Sequence, residues 1–553
     1  MLTQKKIELK VKSQNADPVA TPATASVPIS APKIAIQPKA KVSNNLALNL
    51  APLPPSPSVK ESQILIVKNG HILDPYCQFK NGCVYQDYSC TLNMTDLKDN
   101  KNKFYIMQII EVGAGNYQLM KRYGRIGEKG VTNYTPSSNP SHLADEFTRV
   151  FKDKSGNTWA NRTQFTAVKG KYYLCAVDYA NEIQTQVASA TAPIPVSKLD
   201  SQVRHFLNLV SDRQMMDASL LRLEIDVKKM PLGKLSQSQL KKAYDLLSSI
   251  QVKISESASK TELMDLSSEF YILIPCVSSS RVTRLPTIDN NQIVSRLMSV
   301  VDELSNLQIA HQVLSTTNSK LHPLDAMYEE LKTVIRPLTN SAMIDAIRTY
   351  VKNTHGKTHT GYGVEVVNIY EIEREGERQR YDQYCQTNQI QNKMLLWHGT
   401  RLSNYISILK MGLVLRSDLI PGTVVTGRMF SMGLYGANSF SKSFNYTGYD
   451  YHHPVQCLFL AEFALGNQDY RTDADYYITE KSLQKNGYHS VKGCGRNTPS
   501  SEIVIDGVNI PQGQLVKSQN AKQCSLRYDE FIVYNEAQVN LKYIVEVKAT
   551  SCD

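Results

Sequence analysis

Several features that would assign this 553-residue chain to a common class are missing from its sequence. No stretch approaches the roughly 18 consecutive apolar residues of a membrane-spanning helix, so no membrane association is expected. Residues 1–12 hold lysines among polar residues without an apolar core, which does not predict a secretory signal. None of the ten cysteines forms a C-x-x-C pair, and the closest grouping, Cys77, Cys83 and Cys90, fits no common zinc template. The sequence therefore predicts an intracellular protein with free thiols and no metal site.

The first sixty residues have a composition unlike that of the rest of the chain. They hold nine of the 23 prolines and eight lysines, but no aromatic residue and only two acidic ones, Glu8 and Asp17. Such a segment buries too little apolar surface to offset its chain entropy, so residues 1–60 are predicted to be a disordered basic tail. The tail is suited to nuclear import or to contact with the DNA backbone, and a passive linker fits its composition equally well. The formal charge of +11 permits a polyanionic partner without establishing one.

The periodicity of the apolar residues divides the next part of the chain into two structured regions. Residues 61–182 alternate as strands do, and Gly113-Ala114-Gly115-Asn116 supplies a hairpin turn. Residues 183–196 are predicted to be a linker, and residues 197–322 follow a helical period, which predicts a helical bundle. The clearest apolar helix faces are Val203, Phe206, Leu207 and Val210; Leu240, Tyr244 and Leu247; and Ile293, Leu297, Val300, Leu304 and Leu307.

Residues 323–553 mix helix and strand patterns, which predicts an α+β domain. Alternation over residues 541–548 predicts a strand with one wet face, with Glu546 among its outward-facing charges. The whole chain is therefore predicted to be a multidomain α+β protein: a basic tail, a small β-rich domain, an all-α bundle and a mixed α+β domain. The other elements predicted in the last domain are a helix over Ser341–Tyr350 and strands over Val364–Ile372, Gln456–Ala464 and Phe531–Tyr534.

Two segments of this last domain carry side chains suited to binding a flat ligand. Leu395–Thr400 is an apolar strand that ends in a His-Gly turn, which presents an imidazole and an open main chain. In Gly433–Tyr446, Tyr435 and Tyr446 stand eleven residues apart with Ser443 between them. Two tyrosines and a serine are enough to clamp an aromatic ring and bond its polar substituent.

A third segment, Tyr528–Tyr534, opens an apolar strand with the charged residue Glu530. Such a local break often marks a functional site. Taken singly, each of the three segments is explained as well by structure alone: a histidine at a strand end, tyrosines in a core and a glutamate on the surface.

Together the three segments resemble the catalytic domain of the poly(ADP-ribose) polymerases, the diphtheria-toxin-like ADP-ribosyltransferases with a His-Tyr-Glu triad. Upstream, Glu224–Ser236 is similar to the regulatory helical domain of that family, and Tyr123-Gly124-Arg125 stands where its WGR module has Trp-Gly-Arg. The resemblance is nearest to the short members without zinc fingers. It implies a WGR-like DNA-binding domain at 61–182, a regulatory domain at 197–322 and a catalytic domain with two antiparallel sheets at 323–553.

The resemblance also implies how the substrate NAD+ is held, without a metal and without a Rossmann fold. The main chain of Gly399 and the hydroxyl of Ser443 are expected to hold the nicotinamide amide, with Tyr446 and Tyr435 stacked on its ring. His398 is expected to bond the adenosine ribose. The catalytic residues are then Glu530, His398 and Tyr435, with Glu530 stabilising the ribose cation that forms as nicotinamide leaves. The Gly-x-Gly runs of the chain agree, since each lacks the third glycine of a dinucleotide fingerprint.

The implied partner of the WGR-like module is a DNA strand break. Tyr123 is expected to pack on a DNA end, and Arg125, Lys121 and Arg122 to neutralise phosphates. The regulatory domain is expected to obstruct NAD+ access until DNA binding loosens it. The implied setting is the nucleus, with protein acceptors that include the chain itself and chromatin proteins. An accessory ADP-ribosylation factor is compatible with this setting.

Two rival functions stay open: a mono-ADP-ribosyltransferase with the same cleft, and a DNA-end adaptor with a catalytically weak domain. Three departures from the family pattern bear on them. Gly436-Ala437-Asn438 replaces a commoner Phe-Ala-Asp, Met432 a frequent lysine, and Val414 an arginine near the adenine end of NAD+. The presence of Glu530 favours elongation of poly(ADP-ribose), because members that add a single unit often lack this glutamate.

Overall fold

A computed structural model of the protein describes residues 71–175, 195–212, 215–216, 235–277, 284–315, 320–359, 361–415, 429–449 and 453–550. The predicted basic tail, residues 183–194 of the predicted linker and all but the last two residues of Glu224–Ser236 lie outside these ranges. No helix within them is long and apolar enough to span a membrane. The multidomain α+β fold class is confirmed, since a β-rich region, a helical region and mixed sheets follow one another in chain order. The predicted domain boundaries stay predictions.

The β-rich region is a five-stranded antiparallel sheet with one helix packed on it. Its elements are β1 (Cys83–Asp96), β2 (Lys101–Gly113), β3 (Asn116–Arg125), β4 (Val131–Ser137), α1 (Pro140–Ser155) and β5 (Tyr173–Leu174). The strand order is β4-β3-β2-β1-β5. The predicted hairpin turn joins β2 to β3, with Gly115 at a φ of +73°, a conformation that glycine adopts without strain. Helix α1 buries Leu143, Phe147 and Phe151 against the sheet.

The helical region places its predicted apolar faces in the protein interior. Its helices are α2 (Ser201–Val210), α3 (Gln237–Ser255), α4 (Lys260–Leu273) and α5 (Asn291–Ser315). The side chains of Asp200, Ser236 and Ser259 accept hydrogen bonds from the first turns of α2, α3 and α4, so the sequence marks where these helices begin. The predicted helix faces are confirmed, because every residue in them is buried except Ile293, which is partly buried.

Residues from 323 onward form three sheets flanked by short helices. The helices are α6 (Pro323–Leu331), α7 (Ser341–Asn353), α8 (Glu377–Thr387), α9 (Tyr405–Met411), α10 (Phe440–Phe444) and α11 (Glu480–Lys485). The strands are β6 (Thr333–Pro337), β7 (Gly363–Arg374), β8 (Lys393–Gly399), β9 (Leu434–Gly436), β10 (Val455–Ala464), β11 (Gln468–Arg471), β12 (Ser490–Gly493), β13 (Gly495–Pro499), β14 (Ile503–Ile505), β15 (Val508–Ile510), β16 (Leu515–Lys517), β17 (Leu526–Tyr528), β18 (Glu530–Val533) and β19 (Val539–Thr550).

The two larger sheets of this region meet at the segments singled out in the sequence. The strand orders are β14-β15-β8-β10-β19-β7-β6, β11-β12-β18-β9 and β16-β13-β17. Most neighbours are antiparallel, as predicted. Each sheet also contains one parallel pair, which is β15 with β8, β11 with β12, and β13 with β17. The parallel pairs and the third, three-stranded sheet were not expected.

One hydrophobic core runs through all three regions. It includes Phe104 of the β-rich sheet, Phe206 and Leu304 of the helical region, and Tyr405 and Phe459 of the last region. Buried polar groups also cross between regions. The side-chain amides of Asn93 and Asn102 donate to the carbonyls of Ile272 and Cys276, at 2.6 and 3.0 Å. These carbonyls lie at the end of α4, where a helix leaves its last C=O groups without partners of its own.

The predicted wet face of strand β19 is wrong at Glu546. The strand lies between β10 and β7, and Glu546 is buried. Its carboxylate accepts hydrogen bonds from Asn368 Nδ2 at 3.0 Å and from the Tyr370 hydroxyl at 3.1 Å, and lies 3.0 Å from His205 Nε2. Burial, and then this carboxylate, raise the pKa of Tyr370, so its hydroxyl stays protonated and donates. Helix α2, which carries His205, covers a face that the pattern alone assigned to water.

Replacing Glu546 by alanine is expected to lower the free energy of unfolding by about 1–3 kcal/mol, because the buried donors of Asn368 and Tyr370 lose their acceptor. Glu546→Gln keeps an acceptor oxygen and is the matched control, with a smaller expected loss. Urea unfolding measures both variants. Equal losses for the two would show that hydrogen bonding to this carboxylate does not stabilise the fold.

Candidate active site and nucleic-acid surface

A main-chain bridge brings two of the candidate residues side by side. Trp397, near the end of β8, and Ala437, after β9, exchange two hydrogen bonds of 2.9 Å between their main-chain N–H and C=O groups. The next residue, His398, donates from Nδ1 to the carbonyl of Tyr435 at 2.9 Å. That bond fixes the imidazole plane and directs Nε2 away from β9. The Tyr435 hydroxyl donates to the carbonyl of Ser431 at 2.8 Å, which holds the phenol ring in turn.

Gly399 is required by the close packing of helix α10 on the end of β8. A Cβ built on Gly399 would lie 1.8 Å from the main-chain oxygen of Ser443, a contact that no side chain tolerates. The hydroxyl of Ser443 is buried and donates to the carbonyl of Trp397 at 3.1 Å. Tyr446 follows α10, and its side chain is 63% exposed. The predicted nicotinamide residues therefore form one cluster, with the Tyr446 ring at its solvent side.

Glu530 begins β18 and belongs to the same cluster through Lys442. In the register of β18 and β9, Ile532 pairs with Tyr435, so Glu530 lies level with Ala437. Lys442 Nζ contacts Glu530 Oε1 at 2.8 Å, and both side chains are 13% exposed. Burial lowers the pKa of Lys442, and the charge of Glu530 opposes that shift. The pair is thus an ammonium–carboxylate contact in a poorly hydrated place.

Helix α10 connects the two halves of the cluster. Its consecutive residues Lys442 and Ser443 reach Glu530 on β18 and Trp397 on β8. Lys442 Nζ also donates to the carbonyls of Tyr528 and Asp529, at 3.0 and 3.3 Å. The position of the helix therefore sets both the carboxylate and the hydroxyl.

Asp529 anchors the main chain just before Glu530. Its buried carboxylate accepts from the Gly495 N–H at 2.7 Å, the Thr498 hydroxyl at 2.8 Å and Asn438 Nδ2 at 2.9 Å. Sequence reasoning missed both Asp529 and Lys442. The available signal was a charge inside each quoted motif, next to a residue that had been selected.

Two of the three departures from the family pattern have a structural explanation. A Cβ on Gly436 would lie 2.9 Å from the Phe463 ring and 3.0 Å from Leu396, so those two side chains fill the space of the commoner phenylalanine. Asn438 donates to the Asp529 carboxylate, which an aspartate in its place would repel. Met432 packs at the edge of the core, and nothing in the structure explains its replacement of lysine.

The β-rich sheet carries the candidate nucleic-acid residues. Tyr123 is 37% exposed and stacks on Tyr105, with ring centroids 5.3 Å apart and planes at 8°. The Arg125 guanidinium donates to the carbonyl and side-chain oxygens of Asn100, at 3.1 and 3.2 Å. Lys121 forms a 2.5 Å ion pair with Glu146.

The expectation that Arg122 contacts DNA phosphates is corrected by its burial. Its side chain is 0% exposed and pairs with the buried Asp74 at 2.8 Å. The guanidinium lies between the rings of Phe104 and Tyr76, 4.7 and 4.8 Å from their centroids. Removal from Asp74 would leave a buried charge without its partner, so Arg122 supports the fold.

Comparison with known proteins identifies the family. The model of the WGR domain matches residues 88–166, that of the poly(ADP-ribose) polymerase regulatory domain 197–328, and that of the poly(ADP-ribose) polymerase catalytic domain 341–549. A Homo sapiens protein named poly [ADP-ribose] polymerase 2 is 33% identical, over 89% of this chain and 86% of its own length. The chain belongs to the poly(ADP-ribose) polymerase family.

Other members of the family are similar over different shares of their length. Poly [ADP-ribose] polymerase 2-A of Oryza sativa subsp. japonica is 36% identical, over 86% of this chain and 72% of its own length. Poly [ADP-ribose] polymerase 1 of Xenopus laevis is also 36% identical, over 88% of this chain and 48% of its own length. The chain thus spans about half the length of the frog relative and of its Danio rerio counterpart.

Metal chemistry finds no ready donor set in the part of this polymerase-family chain that the structure describes. No group of three or more His, Cys, Asp or Glu side chains is placed there to share an ion. The nine cysteines that the structure describes are free thiols.

The close packing at Gly399 makes a testable prediction. Gly399→Ala is expected to lower the free energy of unfolding by about 1–3 kcal/mol, because the added methyl forces α10 away from β8. Gly361→Ala is the matched control, since a Cβ there meets nothing within 4 Å. Thermal unfolding of both variants measures the difference, and an unchanged melting temperature for Gly399→Ala would contradict the packing argument.

Proposed function

We propose that this protein is a DNA-break-activated ADP-ribosyltransferase. It cleaves NAD+, releases nicotinamide, transfers ADP-ribose to protein acceptors and elongates poly(ADP-ribose) in the nucleus. The observation that carries the proposal is the cluster in which Lys442 and Ser443 join Glu530 to the His398-Gly399 turn. Family membership supports the reaction class.

NAD+ binding follows from the groups that converge at the end of β8. The N–H and C=O of Gly399 are main-chain groups able to bond the two ends of a carboxamide. The Ser443 hydroxyl gives its proton to Trp397, so its oxygen accepts from the carboxamide N–H. The nicotinamide ring stacks between Tyr446 and Tyr435, and the exposed Tyr446 ring has the area for that contact. His398 bonds the adenosine ribose.

The chemistry depends on a negative charge held where little water reaches. As the bond between nicotinamide and C1′ of ribose breaks, the bonding electrons leave with nicotinamide and positive charge develops on the sugar. The Glu530 carboxylate accepts a hydrogen bond from the ribose 2′-hydroxyl and stabilises that charge. Lys442 keeps the carboxylate ionised and fixed in position. Glu530 then orients the acceptor hydroxyl and takes up its proton as the new bond to C1′ forms.

Break recognition is assigned to the β-rich sheet. The stacked pair of Tyr123 and Tyr105 offers an aromatic surface to an exposed base or sugar at a DNA end. Arg125 and Lys121 supply positive charge for the neighbouring phosphates. Acceptors then include the chain itself and proteins held on the same DNA, chromatin proteins among them. An accessory factor that adds to the catalytic site is compatible with this arrangement.

One experiment separates this function from its rivals. Labelled NAD+ is supplied with and without nicked, 5′-phosphorylated DNA, and product size is read on a gel. Long, DNA-dependent polymer is the expected result. Single additions would identify a mono-ADP-ribosyltransferase, and no NAD+ turnover would identify a DNA-end adaptor.

Glu530→Gln is expected to lower polymer synthesis by about 100-fold or more, because the neutral amide stabilises the ribose cation poorly. Inhibition of residual turnover by nicotinamide should be retained, since the Gly399 and Ser443 contacts are unchanged. Glu375→Gln, at a glutamate whose side chain is 72% exposed, is the control for charge. Polymer of normal length at the normal rate from Glu530→Gln would refute the assignment.

Arg125→Ala is expected to weaken activation by nicked DNA and to reduce the salt dependence of DNA binding by about one charge, because one phosphate contact is lost. Lys241→Ala removes the same charge from an exposed position on α3 and is the control. DNA titration at several salt concentrations measures both variants. An identical DNA response in the two would remove Arg125 from the interface.

A further inference from the structure

A buried carboxylate of the helical region contacts the turn that follows the candidate NAD+ site. Glu303 of α5 is 5% exposed. Its Oε1 lies 2.6 Å from Arg401 Nη1, and its Oε2 accepts from the Ser403 hydroxyl at 3.1 Å. Arg401 stands only two residues after Gly399. One anion from the regulatory side is thus bound by two donors from the catalytic side.

A second polar contact, one helical turn further along α5, ties the same helix to the same segment. Asn306 donates to Asn404 Oδ1 at 2.9 Å and accepts from the Ser407 hydroxyl at 3.0 Å. Asn404 donates in turn to Thr400 Oγ1 at 2.8 Å. Residues three apart share a helix face, so Glu303 and Asn306 act together on this turn.

The donors around Glu303 are those that proteins use for phosphate oxygens. A guanidinium and a hydroxyl that converge on one anionic group bind carboxylate and phosphate alike, and arginine suits both. The Arg401 side chain is 29% exposed, so it is reached from solvent as well as from α5. In the proposed binding mode, nicotinamide lies at Gly399 and the adenosine ribose at His398. The diphosphate that links those two halves therefore passes the start of this turn.

We propose that Arg401 and Ser403 form the subsite for the NAD+ diphosphate, and that Glu303 occupies this subsite as an internal anion until α5 moves away. The inference rests on the proposed function, because it assigns a part of the same NAD+ site. Arg401 cannot form its close contact with the carboxylate and with a phosphate oxygen at once. The affinity for NAD+ thus depends on the position of the regulatory helix through competition for one cation.

The test uses Glu303→Gln, Arg401→Gln and the double variant in the full chain, with KM for NAD+ and kcat measured with and without nicked DNA. Without DNA, Glu303→Gln is expected to lower KM about tenfold, because the competing charge is gone. With DNA, Arg401→Gln is expected to raise KM about tenfold at a nearly constant kcat. Nicotinamide, which carries no phosphate, is the probe for the other half of the site, and its inhibition constant should not change in any variant.

The double variant separates the subsite from a merely structural ion pair. If Arg401 binds the diphosphate, the double variant keeps the high KM of Arg401→Gln. If Arg401 serves only as the partner of Glu303, the double variant has the low KM of Glu303→Gln, and the proposal is overturned. An equal rise in the inhibition constant of nicotinamide would also overturn it, since the whole site would then have been disturbed.

His205→Gln is the matched control for loosening of the helical region. It disrupts the contact with Glu546, which joins α2 to β19 and does not touch the turn after Gly399. A fall in KM equal to that of Glu303→Gln would show that release of the helices alone is sufficient, against the proposal. Failure of the proposed function has a different signature, because the unmodified chain would then turn over no NAD+ under any condition.

Discussion

Two main-chain hydrogen bonds between Trp397 and Ala437 join the seven-stranded sheet to the four-stranded sheet. They hold because the Trp397 ring is buried between Tyr350 and Phe440, at centroid distances of 5.0 and 5.3 Å. Everything in the candidate site is measured from this bridge. His398 is the next residue along one strand, and Tyr435 lies two residues before the other end of the bridge. Side-chain chemistry in the cleft thus depends on backbone geometry that the polar residues themselves do not supply.

The charges of the cleft are arranged around a single helix of five residues. Lys442 on α10 takes a carboxylate and two carbonyls as partners, while Asp529 fixes the main chain on the other side of Glu530. An ammonium removed from water needs such partners, because burial alone favours its neutral form. The same arrangement keeps an acidic side chain ionised at the place where a sugar cation must be stabilised. Position and protonation are therefore controlled by the same contacts.

The sequence predicted best what depends on neighbours along the chain. Apolar spacing identified the buried faces of α2, α3 and α5, and motif residues close together in the sequence identified His398, Tyr435 and Glu530. Long-range partners left no comparable signal. Glu546 was assigned to water because its donors are 176, 178 and 341 residues away. Arg122 resembled a surface cation because Asp74, 48 residues earlier, gives no sign of where it will lie.

The shared core described above has a thermodynamic consequence. Phe206 and Leu304 belong to the same apolar cluster as Tyr405 and Phe459, so the helices cannot separate from the catalytic sheet without hydrating that surface. Hydration of apolar groups raises the heat capacity. If activation opens this seam, its enthalpy must vary with temperature, and the balance between closed and open forms must curve as the protein is warmed. Regulation and thermal behaviour would then share one origin in this chain.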